Sequence, residues 1–133
     1  FFPVTHKEMT RFWISLDESI KMVDWAFKNT KGGEIVVPVI KSFKVTDLVK
    51  AIKTNAKIKY IGIREGEKIH EDLITVSDSL NTYKKDKYYI IYPNNKFKKI
   101  KNLKKVEKNF NYNSGTNKNF MSISEIKKKI RNI

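Results

Sequence analysis

The sequence predicts an α/β fold, and three observations predict it. Short apolar or β-branched runs bounded by Gly or Pro recur at Glu34 to Pro38, Ile58 to Ile63 and Tyr88 to Tyr92, which is the pattern of strands. Between and after them stand apolar residues at helical spacing, opened by capping signatures at Ser15 and Ser122. From Thr10 to Ile63 the two kinds of segment alternate, strand, helix, strand, helix, strand.

Taken in order, residues 1 to 9 have no clean period, and Pro3 argues against regular structure, so they read as loop. Thr10-Arg11-Phe12-Trp13-Ile14 is rich in β-branched and aromatic residues and reads as a short strand. Ser15-Leu16-Asp17-Glu18 is a capping box, so a helix starts there. Leu16, Ile20, Val23 and Phe27 form one face that is expected to be buried, and Lys28, Lys31 and Gly32-Gly33 suit its end. Thr46-Asp47 is the candidate N-cap of a second helix to about Lys53, with Leu48, Ala51 and Ile52 inward. Glu67 to Ile74 fits helix or strand equally, and Thr75 to Asp78 could cap a short helical turn. Lys and Asn dominate from Lys96 to Asn111, which reads as a loop or a solvated face. Ser122-Ile123-Ser124-Glu125 opens a terminal helix with Ile123, Ile126, Ile130 and Ile133 on one side.

Composition excludes several classes of function. The 133 residues contain no Cys, so there is no disulfide framework and no thiolate nucleophile, and two His without Cys make a structural zinc site a poor reading. No apolar run is long enough to span a bilayer, and the start does not read as a secretion signal. A soluble, cytoplasmic protein with no membrane partner is expected. The chain begins at Phe1-Phe2 instead of Met, which fits a processed protein or the later portion of a longer one.

The formal charge of +14 is unevenly spread. Residues 1 to 83 carry 13 Lys and Arg against 11 Asp and Glu, whereas residues 84 to 133 carry 15 against 3. A stand-alone basic module binding nucleic acid through its Lys-rich last third is therefore one hypothesis. Only three of the 28 cations are Arg, namely Arg11, Arg64 and Arg131. Where Lys serves for almost every positive charge, an Arg marks a place that needs the planar guanidinium fork.

That contrast draws attention to Ile61-Gly62-Ile63-Arg64-Glu65-Gly66-Glu67-Lys68-Ile69-His70-Glu71. A guanidinium there can hold phosphate oxygens bidentately, and the carboxylate of Glu67, three residues on, can accept from a sugar diol. Taken singly, Arg11 and Arg64 are more often surface cations than ligand contacts. Other chemistry is not encoded. The five glycines make neither G-x-G-x-x-G nor a P-loop, and no G-x-S-x-G accompanies His6 or His70. Carboxylate pairs such as Glu67 and Glu71 are too common to mark a glycosidase. Tyr83 to Lys87 and Tyr92 to Lys96 match Tyr-x-x-x-Lys, but about one such match arises by chance in a chain this rich in Lys, and neither follows a dinucleotide-binding half.

Longer strings settle the context. Thr5-His6-x-x-Met9-Thr10-Arg11-Phe12-Trp13-Ile14, Gly62-Ile63-Arg64-x-Gly66-Glu67-Lys68-x-His70-Glu71, Tyr92-Pro93-Asn94, Tyr112-Asn113-Ser114-Gly115-Thr116-Asn117 and the final Ser122-Ile-Ser-Glu-Ile126 occur in that order. Together they resemble the C-terminal part of the inverting UDP-N-acetylglucosamine 4,6-dehydratases and related capsule and flagellin-glycosylation enzymes. These are extended short-chain dehydrogenase/reductases. The resemblance covers nearly the whole chain and is weakest from Lys96 to Lys108.

The resemblance implies the C-terminal substrate-binding portion of such an enzyme, with the Rossmann half absent. Residues 1 to 95 would form the nucleotide-sugar-binding α/β portion, and 96 to 133 the Lys-rich segment and C-terminal helix. By motif match, Arg11 and Arg64 would contact the UDP diphosphate, Glu67 would accept from the ribose, and Met9 and Thr10 would wall the pocket. His70 and Glu71 match the family pattern without an assigned role, and their plain structural reading is a buttress to the Arg64 loop. NADP and the catalytic Tyr and Lys would belong to the missing half, so this chain would catalyse nothing alone and would bind no cofactor or metal. Its partners would be a UDP-N-acetyl sugar, the Rossmann half and, when intact, further copies of itself. Nucleic acid is disfavoured, and exposed apolar surface is expected near the first helix or the early loop.

Overall fold

Backbone pairing begins earlier than the sequence suggests. The computed structural model describes residues 1–94 and 99–131, and its elements in order are β1 (Phe2–Val4), β2 (Thr10–Phe12), α1 (Leu16–Asn29), β3 (Ile35–Pro38), β4 (Ser42–Lys44), α2 (Val45–Ile52), β5 (Ile58–Tyr60), β6 (Asp72–Ile74), a 3-10 turn (Asp78–Asn81), β7 (Thr82–Lys85), β8 (Tyr88–Ile91), β9 (Lys104–Lys105), β10 (Tyr112–Asn113) and α3 (Ile123–Arg131). The readings that fall on Lys96, Phe97 and Ile133 lie outside the described residues. The α/β character holds, with small and mostly antiparallel sheets. The chain folds as two units interleaved in sequence.

The first unit comprises Phe1–Trp13, Lys41–Glu71 and Asn113–Ile133. Here β1 pairs with β5 in parallel, contrary to the expectation of loop at residues 1 to 9. Pro3 is tolerated because the bonds flanking it run from Phe2 N to Lys57 O and from Ile61 N to Val4 O, so the missing proline N–H is never needed. β2 pairs antiparallel with β4. Val45 N donates to Met9 O at 3.0 Å, which carries β4 directly into α2. The N-cap is accordingly Lys44, with no side-chain cap, and not Thr46-Asp47. Leu48 and Ala51 do face the core, but Ile52 is exposed and Val49 is buried in its stead.

The core of this unit joins Phe43, Ala51, Met121 and Ile126, with Trp13, Val45, Leu48, Ile123 and Ile130 packed around them. Trp13 meets Phe43 edge-on at 5.6 Å, a favourable aromatic geometry. The capping box at α3 forms as read: Glu125 N donates to Ser122 Oγ, and Ser122 N to Glu125 Oε2. Lys41 also donates to Glu125, and this bond, followed by the one from Ser122 N, holds the carboxyl down to about 2 from its usual 4.5. A carboxyl lowered by folding stabilises the fold above its unfolded value, and that contribution fades as pH falls through about 2. Glu125→Gln should therefore lower the thermal midpoint at neutral pH and leave the difference from wild type shrinking between about pH 4.5 and 2, as followed by circular dichroism.

The second unit comprises Ile14–Ile40 and Asp72–Tyr112. Its sheet has the order β3-β8-β7-β9, antiparallel throughout. Strand β7 lacks a sequence signal because its turn is Asp86-Lys87 instead of Asn-Gly. Asp86 supplies the left-handed residue at φ 53°. Thr75 and Asp78 bond reciprocally at the 3-10 turn, and the Thr75 hydroxyl lowers the Asp78 pKa.

Helix α1 starts at the expected capping box but turns the unexpected side inward. Met22, Trp25, Ala26 and Asn29 are its half-buried line, and the Trp25 ring lies 4.6 Å from that of Tyr88 on β8. Leu16, Ile20, Val23 and Phe27, expected to be buried, are 78%, 58%, 50% and 83% exposed. The larger indole surface takes the sheet, which leaves the aliphatic stripe on the outside. Exposed apolar surface is thus present where it was anticipated, at the first helix. No helix among the described residues is long and apolar enough to cross a membrane.

Candidate functional site

All five residues assigned to substrate binding, Met9, Thr10, Arg11, Arg64 and Glu67, lie in the first unit. Strand β2 supplies Thr10 and Arg11, and the irregular segment after β5 supplies the other two. That segment turns on Gly62 at φ 86° and Gly66 at φ 75°, values that strain residues with a side chain. Nothing lies within 4 Å of where a Cβ would stand at either position, so backbone conformation and not space demands glycine there.

Glu67 shapes this loop. Its Oε2 accepts from Arg64 N at 3.2 Å and its Oε1 from the Thr5 hydroxyl at 3.1 Å, while Glu67 N donates to Arg64 O at 3.1 Å. The Arg64 backbone is thereby fixed in the turn, while its side chain is exposed and, among the described residues, its guanidinium has no hydrogen-bonding or ionic partner. An unpaired fork on an ordered loop is chemically available to an anion.

Arg11 is in a different situation. Its Nη1 donates to Thr10 O at 2.7 Å and Ile69 O at 3.1 Å, its Nη2 donates to Lys68 O at 3.0 Å, and its Nε stands 3.4 Å from Glu71 Oε1. Three backbone carbonyls and a carboxylate make Arg11 a brace between β2 and the end of the loop. One Nη2 hydrogen is left for an incoming acceptor. Met9 and Thr10 are buried, at 4% and 3% exposure. Neither side chain is open to solvent, and it is the Thr10 carbonyl that reaches the Arg11 guanidinium.

Beneath the loop is a polar knot. Thr10 Oγ1 lies 2.7 Å from His70 Nδ1 and 2.7 Å from Ser114 Oγ, and Ser114 Oγ accepts from Glu71 N at 2.9 Å. An amide can only donate, so Ser114 Oγ accepts from Glu71 N; its own proton goes either to Thr10 Oγ1, which then donates to His70 Nδ1, or to Thr10 O at 3.3 Å, in which case His70 Nδ1 donates to Thr10 Oγ1 and Thr10 Oγ1 to Ser114 Oγ. Ser114 N closes the knot by donating to Glu71 O at 2.8 Å. His70 and Glu71 are thus tied by hydrogen bonds to Thr10 and Ser114 at the end of the segment that carries Arg64.

Ser114 and Gly115 lie in the Tyr112 to Asn117 motif, where sequence alone assigns neither a role. Gly115 has one: a Cβ there would lie 2.6 Å from His70 Nδ1 and 2.7 Å from its Cγ. Glycine is required for space at this position, and only the spatial neighbour reveals it. The adjoining turn is pinned by Gly115 N to Asn113 Oδ1 at 2.7 Å and by Asn117 Nδ2 to Ser42 Oγ at 2.9 Å. No cluster of His and carboxylates among the described residues could hold a metal ion.

Comparison with known proteins agrees with this architecture. A family profile described as "Polysaccharide biosynthesis protein" matches residues 1–93. The UDP-N-acetylglucosamine 4,6-dehydratase (inverting) of Campylobacter jejuni is 42% identical over 93% of this chain and 40% of its own length. The capsular polysaccharide biosynthesis protein CapD of Staphylococcus aureus is 36% identical over 56% of this chain and 14% of its own length. Among solved structures, Pen from Bacillus thuringiensis superimposes with a TM-score of 0.83 at 29% identity, covering 98% of this chain and 41% of that one. The chain spans about 40% of the length of the dehydratases it matches. With the family profile covering well over half of its residues, the chain belongs to the polysaccharide biosynthesis protein family.

Proposed function

We propose that the chain is the UDP-sugar-binding portion of an NADP-dependent, 5-inverting UDP-N-acetylglucosamine 4,6-dehydratase, a cytoplasmic lyase of surface-polysaccharide or flagellin-glycan synthesis. The observation that carries the reading is the unpartnered Arg64 guanidinium on a loop shaped by Gly62, Gly66 and Glu67. Arg64 grips the diphosphate bidentately. Arg11 adds its remaining Nη2 hydrogen as a second clamp while bracing the loop end. Each Glu67 oxygen has one protein donor and keeps a lone pair for a ribose hydroxyl. Met9 and Thr10 form the floor of the nucleotide site, which falls wholly within residues 1 to 95.

NADP belongs to the rest of the enzyme in this reading. The residues of this chain do not fit it: Gly32 and Gly33 follow α1 instead of opening a helix after a strand, so no amide cradle for a pyrophosphate is built. The hydride and proton transfers, and the self-association of the intact enzyme, require the missing half, and this chain alone is inactive.

Binding of UDP to the complete enzyme tests the site. Arg64→Lys keeps the charge but removes the fork, and UDP should bind roughly tenfold or more weakly, about 1.4 kcal/mol, by isothermal titration calorimetry. Unchanged affinity would remove Arg64 from the site.

A further inference from the structure

Residues 84 to 108 carry ten lysines against Asp86 and Glu107. A coding preference for Lys over Arg explains the identity of these cations but not their excess over carboxylates, since residues 1 to 83 are nearly balanced. The second unit crowds four of them on one edge. Lys84 on β7 and Lys104 on β9 are direct cross-strand partners, and like charges in that relation destabilise a sheet. Lys99 and Lys105 both stand over the Tyr83 ring, their Nζ atoms 4.6 and 5.8 Å from its centroid. All four are exposed, and among the described residues none has a carboxylate partner. Lysines on an edge strand deter edge-to-edge pairing, which accounts for Lys104 and Lys105, and Lys84 and Lys99 stand over the rings of Tyr89 at 5.8 Å and Tyr83 at 4.6 Å, but neither arrangement supplies a counter-charge.

Ammonium groups crowded together without counter-charges on a folded edge are complementary to a polyanion. We infer that the β7–β9 edge of the second unit docks on an anionic phospholipid surface. A nucleic-acid strand is the poorer fit, because it needs free aromatic faces. Tyr83 meets Tyr92 at 5.7 Å and is overlaid by lysines, while Tyr89 lies beside Phe110 at 5.2 Å and Tyr112 at 5.3 Å. A headgroup layer asks only for point charges near its surface, which lysines supply. The expectation of no membrane partner rested on the lack of an apolar span and is revised to surface contact without insertion.

Co-sedimentation of the full chain with vesicles tests the proposal. It should pellet with phosphatidylcholine vesicles containing phosphatidylglycerol, not with phosphatidylcholine alone, and release as salt rises. Each lysine contributes about fivefold to partitioning, so Lys84→Gln/Lys99→Gln/Lys104→Gln/Lys105→Gln should lose roughly a hundredfold or more. Its thermal midpoint should be unchanged or higher, the cross-strand repulsion being gone. Equal charge removal at the exposed Lys7, Lys50, Lys53 and Lys57 should leave partitioning within a few fold of wild type. If the edge substitutions cause self-association, Lys84→Gln/Lys99→Gln alone should still lose about twenty-five-fold. No pelleting with anionic vesicles, undiminished pelleting of the quadruple variant, or equal binding to neutral vesicles would overturn the proposal. So would tighter binding to single-stranded RNA at the same salt.

Discussion

Gly115→Ala should destabilise the first unit by about 2–4 kcal/mol, through overpacking and loss of a buried hydrogen bond. The new methyl would meet the His70 ring at 2.6 to 2.8 Å, closer than side-chain carbons approach one another. The ring cannot move aside freely, because its Nδ1 is held by Thr10 Oγ1 at 2.7 Å, and that hydroxyl is held in turn by Ser114. Whatever shifts, the relay from Glu71 N to His70 loses a member, and the anchorage of the Arg64 loop goes with it. The double variant Gly115→Ala/His70→Ala separates this cause from a general intolerance of the turn. Removing the ring vacates the space, so the double variant should be more stable than the sum of the single effects by at least about 1 kcal/mol in urea titration. Strict additivity would show that the ring is not what the methyl meets.

The parts of the fold that were legible in the sequence are those set by local rules. Both capping boxes formed at the residues that encode them, because a Ser hydroxyl and a Glu three residues on satisfy each other's backbone wherever the helix ends up. Strands β2, β3 and β8 were likewise readable from β-branched and aromatic runs. What escaped reading was decided at a distance. β1 exists because β5 lies beside it, α2 begins two or three residues early because Val45 N finds Met9 O, and β7 exists because β8 and β9 flank it. The candidate site divides the same way. Arg11, Arg64 and Glu67 stand out as residue types in a pattern, whereas the Lys68 and Ile69 carbonyls that make Arg11 a brace lie 57 and 58 residues away, and the His70 ring that makes Gly115 indispensable lies far from it in sequence.

The sharpest divergence between pattern and packing is α1, and it leads to the other large expected effect. Ile126 and Phe27 both sit on helical apolar stripes of similar appearance in sequence, yet Ile126 is fully buried and Phe27 is 83% exposed. Ile126→Ala should cost about 2–5 kcal/mol, since the methylenes it removes leave a cavity among Phe43, Ala51 and Met121. Phe27→Ala should change stability by no more than about 0.5 kcal/mol in this chain. The two tryptophans make the comparison local, because Trp13 packs on Phe43 in the first unit and Trp25 on Tyr88 in the second. With Trp25→Phe the remaining indole reports the first unit, and with Trp13→Phe it reports the second. In the complete dehydratase proposed above, the stripe of Leu16, Ile20, Val23 and Phe27 would be covered by the rest of the enzyme. Phe27→Ala should there cost about 3–5 kcal/mol, as a buried phenylalanine does. A substitution that is silent in the shorter chain and severe in the longer one would identify this helix face as a seam inside one enzyme. Equal and small effects in both would leave the stripe an exposed surface in each and remove the seam from the proposal.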